Sequence, residues 1–300
     1  MPPRLLPFSL LLPLLTPSVS LGTESTSTQR SGVIGAGEDW ETSYHLVDSA
    51  VAGPTVLLIA GMHGNEPAGS RAADQIRHWP LVRGKLIVIP RANVLALAAN
   101  TRLTPNETGA TSNLNRNFPP TDPSTPSRVT PRGDLAAALW AFAMKTRPDW
   151  VIDLHEGFDF NISHQPSMGQ SKSVGSSLIY RGGPTLDPVA EKVIAAVNAT
   201  VTDPKKRFTL LKKGPVSTGL SRACINVMGA EAMILETTYR NQPLSLRARQ
   251  HRIMVNVLLR HISLIDRDCQ DILINPNVVS YSSITEATPK AGYDVSLRVR

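Results

Sequence analysis

Cysteine is scarce in this chain: 300 residues contain two, Cys224 and Cys269. Two are too few to build a cysteine-ligated metal cluster, so any metal chemistry must rest on histidine and carboxylate. Long apolar runs are missing beyond the first twenty-odd residues, and no later segment approaches the roughly 18 to 20 apolar residues that span a bilayer. Aromatics make up only 5%. The densest basic stretch, Lys205-Lys206-Arg207 followed by Lys212-Lys213, holds one aromatic, Phe208. It reads as a solvated turn, and nucleic-acid binding loses its usual aromatic-interleaved signature. Acidic charge is also in deficit, 24 Asp and Glu against 31 Lys and Arg, a net charge of +7. An acidic or carboxylate-bearing partner suits that excess. What is present is 41% hydrophobic residues, enough for one large core or two small ones.

The N-terminus, "MPPRLLPFSLLLPLLTPSVSLG", has Arg4, an apolar stretch from Leu5 to Leu15, and small residues around Ser18-Val19-Ser20. That order is a secretory signal peptide over residues 1–21. As a transmembrane helix it is too short, and Pro7 and Pro13 interrupt it. The mature protein is therefore expected to be exported, periplasmic or secreted, with no stable membrane insertion. Export places the two cysteines where a disulfide is permitted. Residues 22–32, rich in Ser and Thr, read as a flexible leader.

Five short apolar runs look like buried strands: residues 55–60, 85–90, 150–154, 177–180 and 232–235. Helical patterns lie between them, at 67–78, 134–147 (opening on the acidic cap candidate Asp134), 188–201 and 244–266. The alternation predicts a three-layer α/β/α sandwich with a mostly parallel mixed central sheet. Residues 101–132, dominated by Pro, Thr, Ser and Asn, read as a long loop of the functional kind. The catalytic domain is expected over 33–268, followed by a small C-terminal extension over 269–300.

Ligands of open α/β sheets bind beyond the carboxyl ends of the strands. Three polar clusters fall there: Gly61-Met62-His63-Gly64-Asn65-Glu66, Asp153-Leu154-His155-Glu156-Gly157, and Glu236-Thr237-Thr238. Each has a bland reading by itself, as turn residues, a hydrogen-bonded core histidine or a solvated carboxylate. Together they supply two histidines and a glutamate, a hydrolytic zinc set that keeps one position open to water. They also supply a further carboxylate able to accept a proton and return it to a leaving amine. Asp153 shares a strand face with His155, either as its hydrogen-bond partner or as a structural carboxylate.

The order "GMHGNEPAG", "NLNRNFP", "VIDLHEG", "ILETT" resembles the zinc carboxypeptidase superfamily, in particular its succinylglutamate desuccinylase/aspartoacylase branch. The resemblance spans about Val51 to Leu259. It implies one zinc ion per chain bound by His63, Glu66 and His155, with Glu236 as general base and acid. It also implies that Asn115 and Arg116 hold a substrate carboxylate, a task for which a guanidinium fork is suited. For the arginine that polarises the scissile carbonyl, Arg102 is the best match and Arg91 a weaker one. His164 is read as a surface-loop histidine.

That branch carries a substantial C-terminal β-rich domain, whereas only about sixty residues follow Glu236 here. This departure and the signal peptide favour an exported carboxypeptidase or amidase acting on peptides, cell-wall peptides among them, beside a free carboxylate. An N-acyl amino acid deacylase is the alternative, and an inactive zinc- or peptide-binding protein the third reading. Asn106, Asn161 and Asn198 head glycosylation-type triplets.

Overall fold

A computed structural model describes residues 27–119 and 130–266. Eight strands form one sheet in the order β1-β2-β4-β3-β5-β8-β6-β7. They are β1 (Thr28–Ile34), β2 (Thr42–Asp48), β3 (Thr55–Ala60), β4 (Lys85–Ile89), β5 (Trp150–Gly157), β6 (Ser177–Tyr180), β7 (Thr209–Leu211) and β8 (Glu231–Thr238). The central strands β4, β3, β5 and β8 run parallel. Pairings β1–β2, β2–β4 and β6–β8 are antiparallel. The sheet is mixed, as the alternation of apolar runs predicted.

Successive residues of the central strands feed opposite cores. Val56, Leu58, Ile152, Leu154, Met233 and Leu235 pack against α1 (Pro67–Ile76), α4 (Asp187–Asn198) and α6 (Leu244–His261). Leu57, Ile59, Val151 and Ala232 face α3 (Asp134–Thr146) and α5 (Leu220–Met228). These strands are fully buried, so their sequences are continuously apolar rather than alternating. A short helix, α2 (Val94–Ala99), follows β4 and is capped by the Asn93 side chain on Ala96 N.

Several expectations need correcting. Residues 28–32, read as flexible leader, belong to strand β1 and pair in register with β2. They look like a linker because all five are exposed or half-buried, and backbone pairing rather than side-chain burial holds them. Strands β5 and β8 run three residues further than their apolar runs, through His155 and Glu236. Helix α6 stops at His261, since Ser263 adopts φ 58°. The N-cap of α3 is Gly133, and Asp134 lies in the first turn, where its charge still suits the helix dipole. The loop after α2 contains two short 3-10 turns, at Gly109–Thr111 and Leu114–Arg116.

Cys224 is fully buried in α5, and Cys269 lies outside the described residues. The signal-peptide segment and the extension over 269–300 also fall outside them. Asn161 and Asn198 spend their amides on the Ser173 and Phe208 carbonyls, whereas Asn106 is exposed. Among the described residues no helix is long and apolar enough to cross a membrane.

Candidate metal centre and active-site cleft

Strand register builds the site. Glu236 sits directly opposite His155 in the parallel β5–β8 pair, so both project on the same face of the sheet. The turn after β3 reaches the same place. Gly61 leaves the strand at φ 72°, and Gly64 passes so close to α2 that a Cβ would fall 1.7 Å from the Ala96 carbonyl oxygen. This left-handed exit and bare approach, both of which need glycine, bring His63 and Glu66 over the sheet edge.

His63, Glu66 and His155 are all buried, and one donor atom from each lies within 4.8 Å of the others. The Nδ1 atoms of both imidazoles converge on the Glu66 carboxylate, His63 on Oε1 and His155 on Oε2, at 2.8 Å each. Their far nitrogens are also held. His63 Nε2 lies 3.1 Å from Asn113 Oδ1, and His155 Nε2 lies 3.1 Å from Asp153 Oδ1. Asp153 is in turn bonded by the Ser221 hydroxyl at 3.2 Å. Imidazoles oriented from behind by a carboxylate or amide are typical of metal-ligating histidines. The donor set, two nitrogens and a carboxylate, suits zinc.

Electrostatics point the same way. Burial pushes the Glu66 carboxyl up, but the charges and hydrogen bonds of His63 and His155 outweigh it and hold it well below the usual range. His155 is disfavoured by burial, yet Asp153 and Glu66 raise it well above an ordinary imidazole. Burial lowers His63 against the opposing pull of Glu66, and the charges of His155 and Arg102 add to the fall. Burial pushes Glu236 up to about 8, with His155 opposing and Glu66 adding to the rise. Its Oε2 is buried with no hydrogen-bond partner among the described residues. A cation among these carboxylates relieves the repulsion that burial amplifies. The residues present therefore fit a zinc ion.

The cleft above the triad has a volume of about 790 Å³, and His63, Glu66, His155, Arg102, Asn115, Arg116 and Glu236 all line it. Arg102 Nη1 bonds Glu66 Oε1 at 2.7 Å. Arg116 is anchored through its own Nη1 on the Asn115 carbonyl at 2.8 Å. Asn115 Nδ2 lies 3.2 Å from His155 Nε2, so this amide borders the histidine as well as the cleft. Arg91, the weaker candidate for the polarising arginine, is ion-paired to Asp74 instead. His164 does not line the cleft; it accepts a bond from Ser173 N at 3.0 Å and meets Phe158 edge-on, and both of those residues do.

The sequence reading missed Lys172, Lys213, Arg222 and Tyr239, which also line the cleft. Lys213 came from the stretch read as a solvated turn. Lys212, its neighbour, pairs with Asp187 at 3.0 Å, while Lys206 lies over the Phe160 ring. Asn113 sits inside "NLNRNFP" but carried no assigned role. Only the fold places it behind His63.

The sheet order, the two helical layers and the site at the strand ends define a zinc-carboxypeptidase-like α/β fold. Residues 52–161 match the family described as Succinylglutamate desuccinylase/Aspartoacylase catalytic domain. The resemblance to that branch of the zinc carboxypeptidase superfamily is thus supported by the family match, the fold and the site. The chain is 35% identical over 108 residues to an N-alpha-acetyl-L-2,4-diaminobutyric acid deacetylase of Halomonas elongata, covering 35% of this chain and 29% of that one. Among solved structures, tripeptide-bound Cell Shape Determinant protein Csd4 from Helicobacter pylori aligns with a TM-score of 0.57 at 21% identity, over 80% of this chain and 56% of that one. An aspartoacylase family protein from Mesorhizobium loti aligns with a TM-score of 0.53 at 22% identity, over 81% and 69%. At these identities the structural likeness speaks for the fold. The chain spans less than a third of the deacetylase's length and little over half of Csd4's.

Proposed function

We propose that this protein is an exported zinc-dependent hydrolase that cleaves an amide bond next to a free carboxylate. The observation that carries the reading is the meeting of His63, Glu66, His155 and Glu236 with Arg102 and Arg116 in one cleft. Its volume lies within the usual range for small-ligand sites. When bound, zinc supplies Lewis-acid polarisation of a carbonyl and acidifies water. The chain's own groups do the rest. Arg116, with the Asn115 amide beside it, grips the substrate carboxylate and fixes which amide lies over the triad. Glu236 accepts the proton from the attacking water at its carboxylate and returns it to the departing nitrogen. Arg102 donates to the oxygen on which negative charge develops. The cleft's excess of cations, with Lys172, Lys213 and Arg222 joining the two arginines, favours an anionic substrate.

Peptides with a free C-terminus are the first substrate class. Support comes from the signal-type N-terminus and from the fold shared with Csd4, which has been solved with a tripeptide and is described as a D,L-carboxypeptidase. N-acyl amino acids are the second, favoured by the sequence similarity to a deacetylase.

Metal analysis before and after chelation, followed by a substrate panel, tests the proposal. About one zinc per chain and loss of turnover on chelation are expected, with hydrolysis of free but not C-terminally amidated peptides. Activity confined to N-acetyl or N-succinyl amino acids selects the deacylase. Undiminished hydrolysis by metal-free protein ends both readings.

A further inference from the structure

Glu66 occupies the N-cap of α1, where a side chain ordinarily accepts a bond from the helix's first turn. It makes no such bond, because its carboxylate is turned to His63, His155 and Arg102. A first turn without its own cap leaves buried N–H groups that must be satisfied from elsewhere. Glu156 of β5 does this: its Oε1 accepts from Ala68 N at 2.7 Å. Its backbone N–H also donates to Glu66 Oε2 at 3.1 Å. Alternation along β5 permits both roles, since His155 points to the α3/α5 face and Glu156 to the α1/α6 face. Behind Glu156, Arg247 of α6 pairs with its Oε2, and the Thr237 hydroxyl donates to the same oxygen at 3.3 Å. Arg247 is itself fixed by the Gln242 carbonyl at 3.1 Å. Glu156 is 2% exposed and Arg247 9%. A buried ion pair adds little net stability over apolar side chains of similar size, so packing alone gives no reason for this one.

We propose that the Arg247–Glu156 pair is a positioning device that reaches through the sheet from α6 and fixes Glu66 for the metal. Arg247 lies outside the cleft, and Glu156 borders it without joining the His63, Glu66 and His155 donor set; together they hold the first turn of α1, and with it the Glu66 carboxylate, against β5. The inference rests on the zinc reading of the triad. It makes the affinity for zinc depend on two side chains on the opposite face of the sheet from the histidine at position 155.

Zinc affinity of the full chain, measured by competition with a chromogenic chelator, tests this beside thermal unfolding of the metal-free protein. Two variants are used: Glu156→Gln/Arg247→Met, which removes both buried charges together, and Arg247→Lys, which keeps the charge but loses the fork. The double variant should bind zinc about 10- to 100-fold more weakly, the usual effect of removing an outer partner of a metal site. Arg247→Lys should fall between it and the wild type, with a metal-free unfolding midpoint close to the wild type's. Should the double variant fail to fold, Arg247→Lys decides alone. Folded variants that bind zinc as tightly as the wild type overturn the positioning role and leave the zinc reading standing. A wild-type chain that binds no zinc overturns both.

Discussion

Glu236 and Arg116 separate the two tasks proposed for the cleft, moving a proton and choosing the bond. Glu236 is buried, lies opposite His155 and has one oxygen unpartnered, so Gln at this position keeps shape and loses only basicity. Glu236→Gln should retain zinc and lower kcat by roughly 10²- to 10⁴-fold, the range for a lost general base. Elemental analysis beside steady-state kinetics checks both halves. Arg116 is solvent-facing and anchored on its neighbour's carbonyl. Arg116→Met should weaken kcat/KM by roughly 10- to 100-fold, the worth of a charged hydrogen bond, with most of the loss in KM. An unchanged KM would remove Arg116 from carboxylate binding. His63, Glu66, His155 and Glu236 were legible in the sequence because each follows or ends an apolar strand run. Asn113, Lys172 and Arg222 were not, since nothing local distinguishes a loop asparagine or a helical arginine that lines a cleft from one in solvent.

At the scale of elements, the turn between β3 and α1 is the most constrained piece of the site. Gly64 has no room for a side chain against the Ala96 carbonyl. Gly64→Ala should cost at least about 1 to 3 kcal/mol, as overpacking does, and should weaken zinc binding by displacing His63 and Glu66 together. Chemical denaturation with and without zinc measures the two effects. A stability unchanged within error would mean that the turn is not braced by α2. The elements differ in how well the sequence showed them. Strands β3 and β4 and helices α1 and α3 were readable to within a residue or two, because burial on a sheet face or helix face leaves an apolar pattern. Strand β1 was not, because its side chains are mostly solvated and its backbone pairing with β2 leaves no periodic signature.

For the whole molecule, buried histidines tie folding to pH. Burial lowers His251 to about 3, and burial with Arg77 beside it lowers His45 to about 4. Both folded values lie below the ordinary imidazole value, so the fold prefers the neutral forms. Their contribution is present in full above pH 6.5 and is lost as pH falls through that window towards 3. Below pH 6.5 the unfolding midpoint of the wild type should therefore fall relative to that of His251→Gln. A difference between the two proteins that stays level from pH 7 to 4 would contradict this. His251 reaches Thr237, whose hydroxyl donates to Glu156, so this titration acts on the region behind the triad.

The sequence by itself determined the layer architecture and pointed to the groups proposed to bind zinc and to move a proton. Strand burial and motif order are local properties that survive in a linear reading. Tertiary structure alone decided how far β5 and β8 extend, which face each polar residue takes, and that Arg247 stands behind Glu156. Those outcomes depend on register and on helix-to-sheet packing between segments as far apart as Ala68, Glu156 and Arg247. The side chains involved are polar, and a polar side chain gives no periodic sign of the partner it will meet.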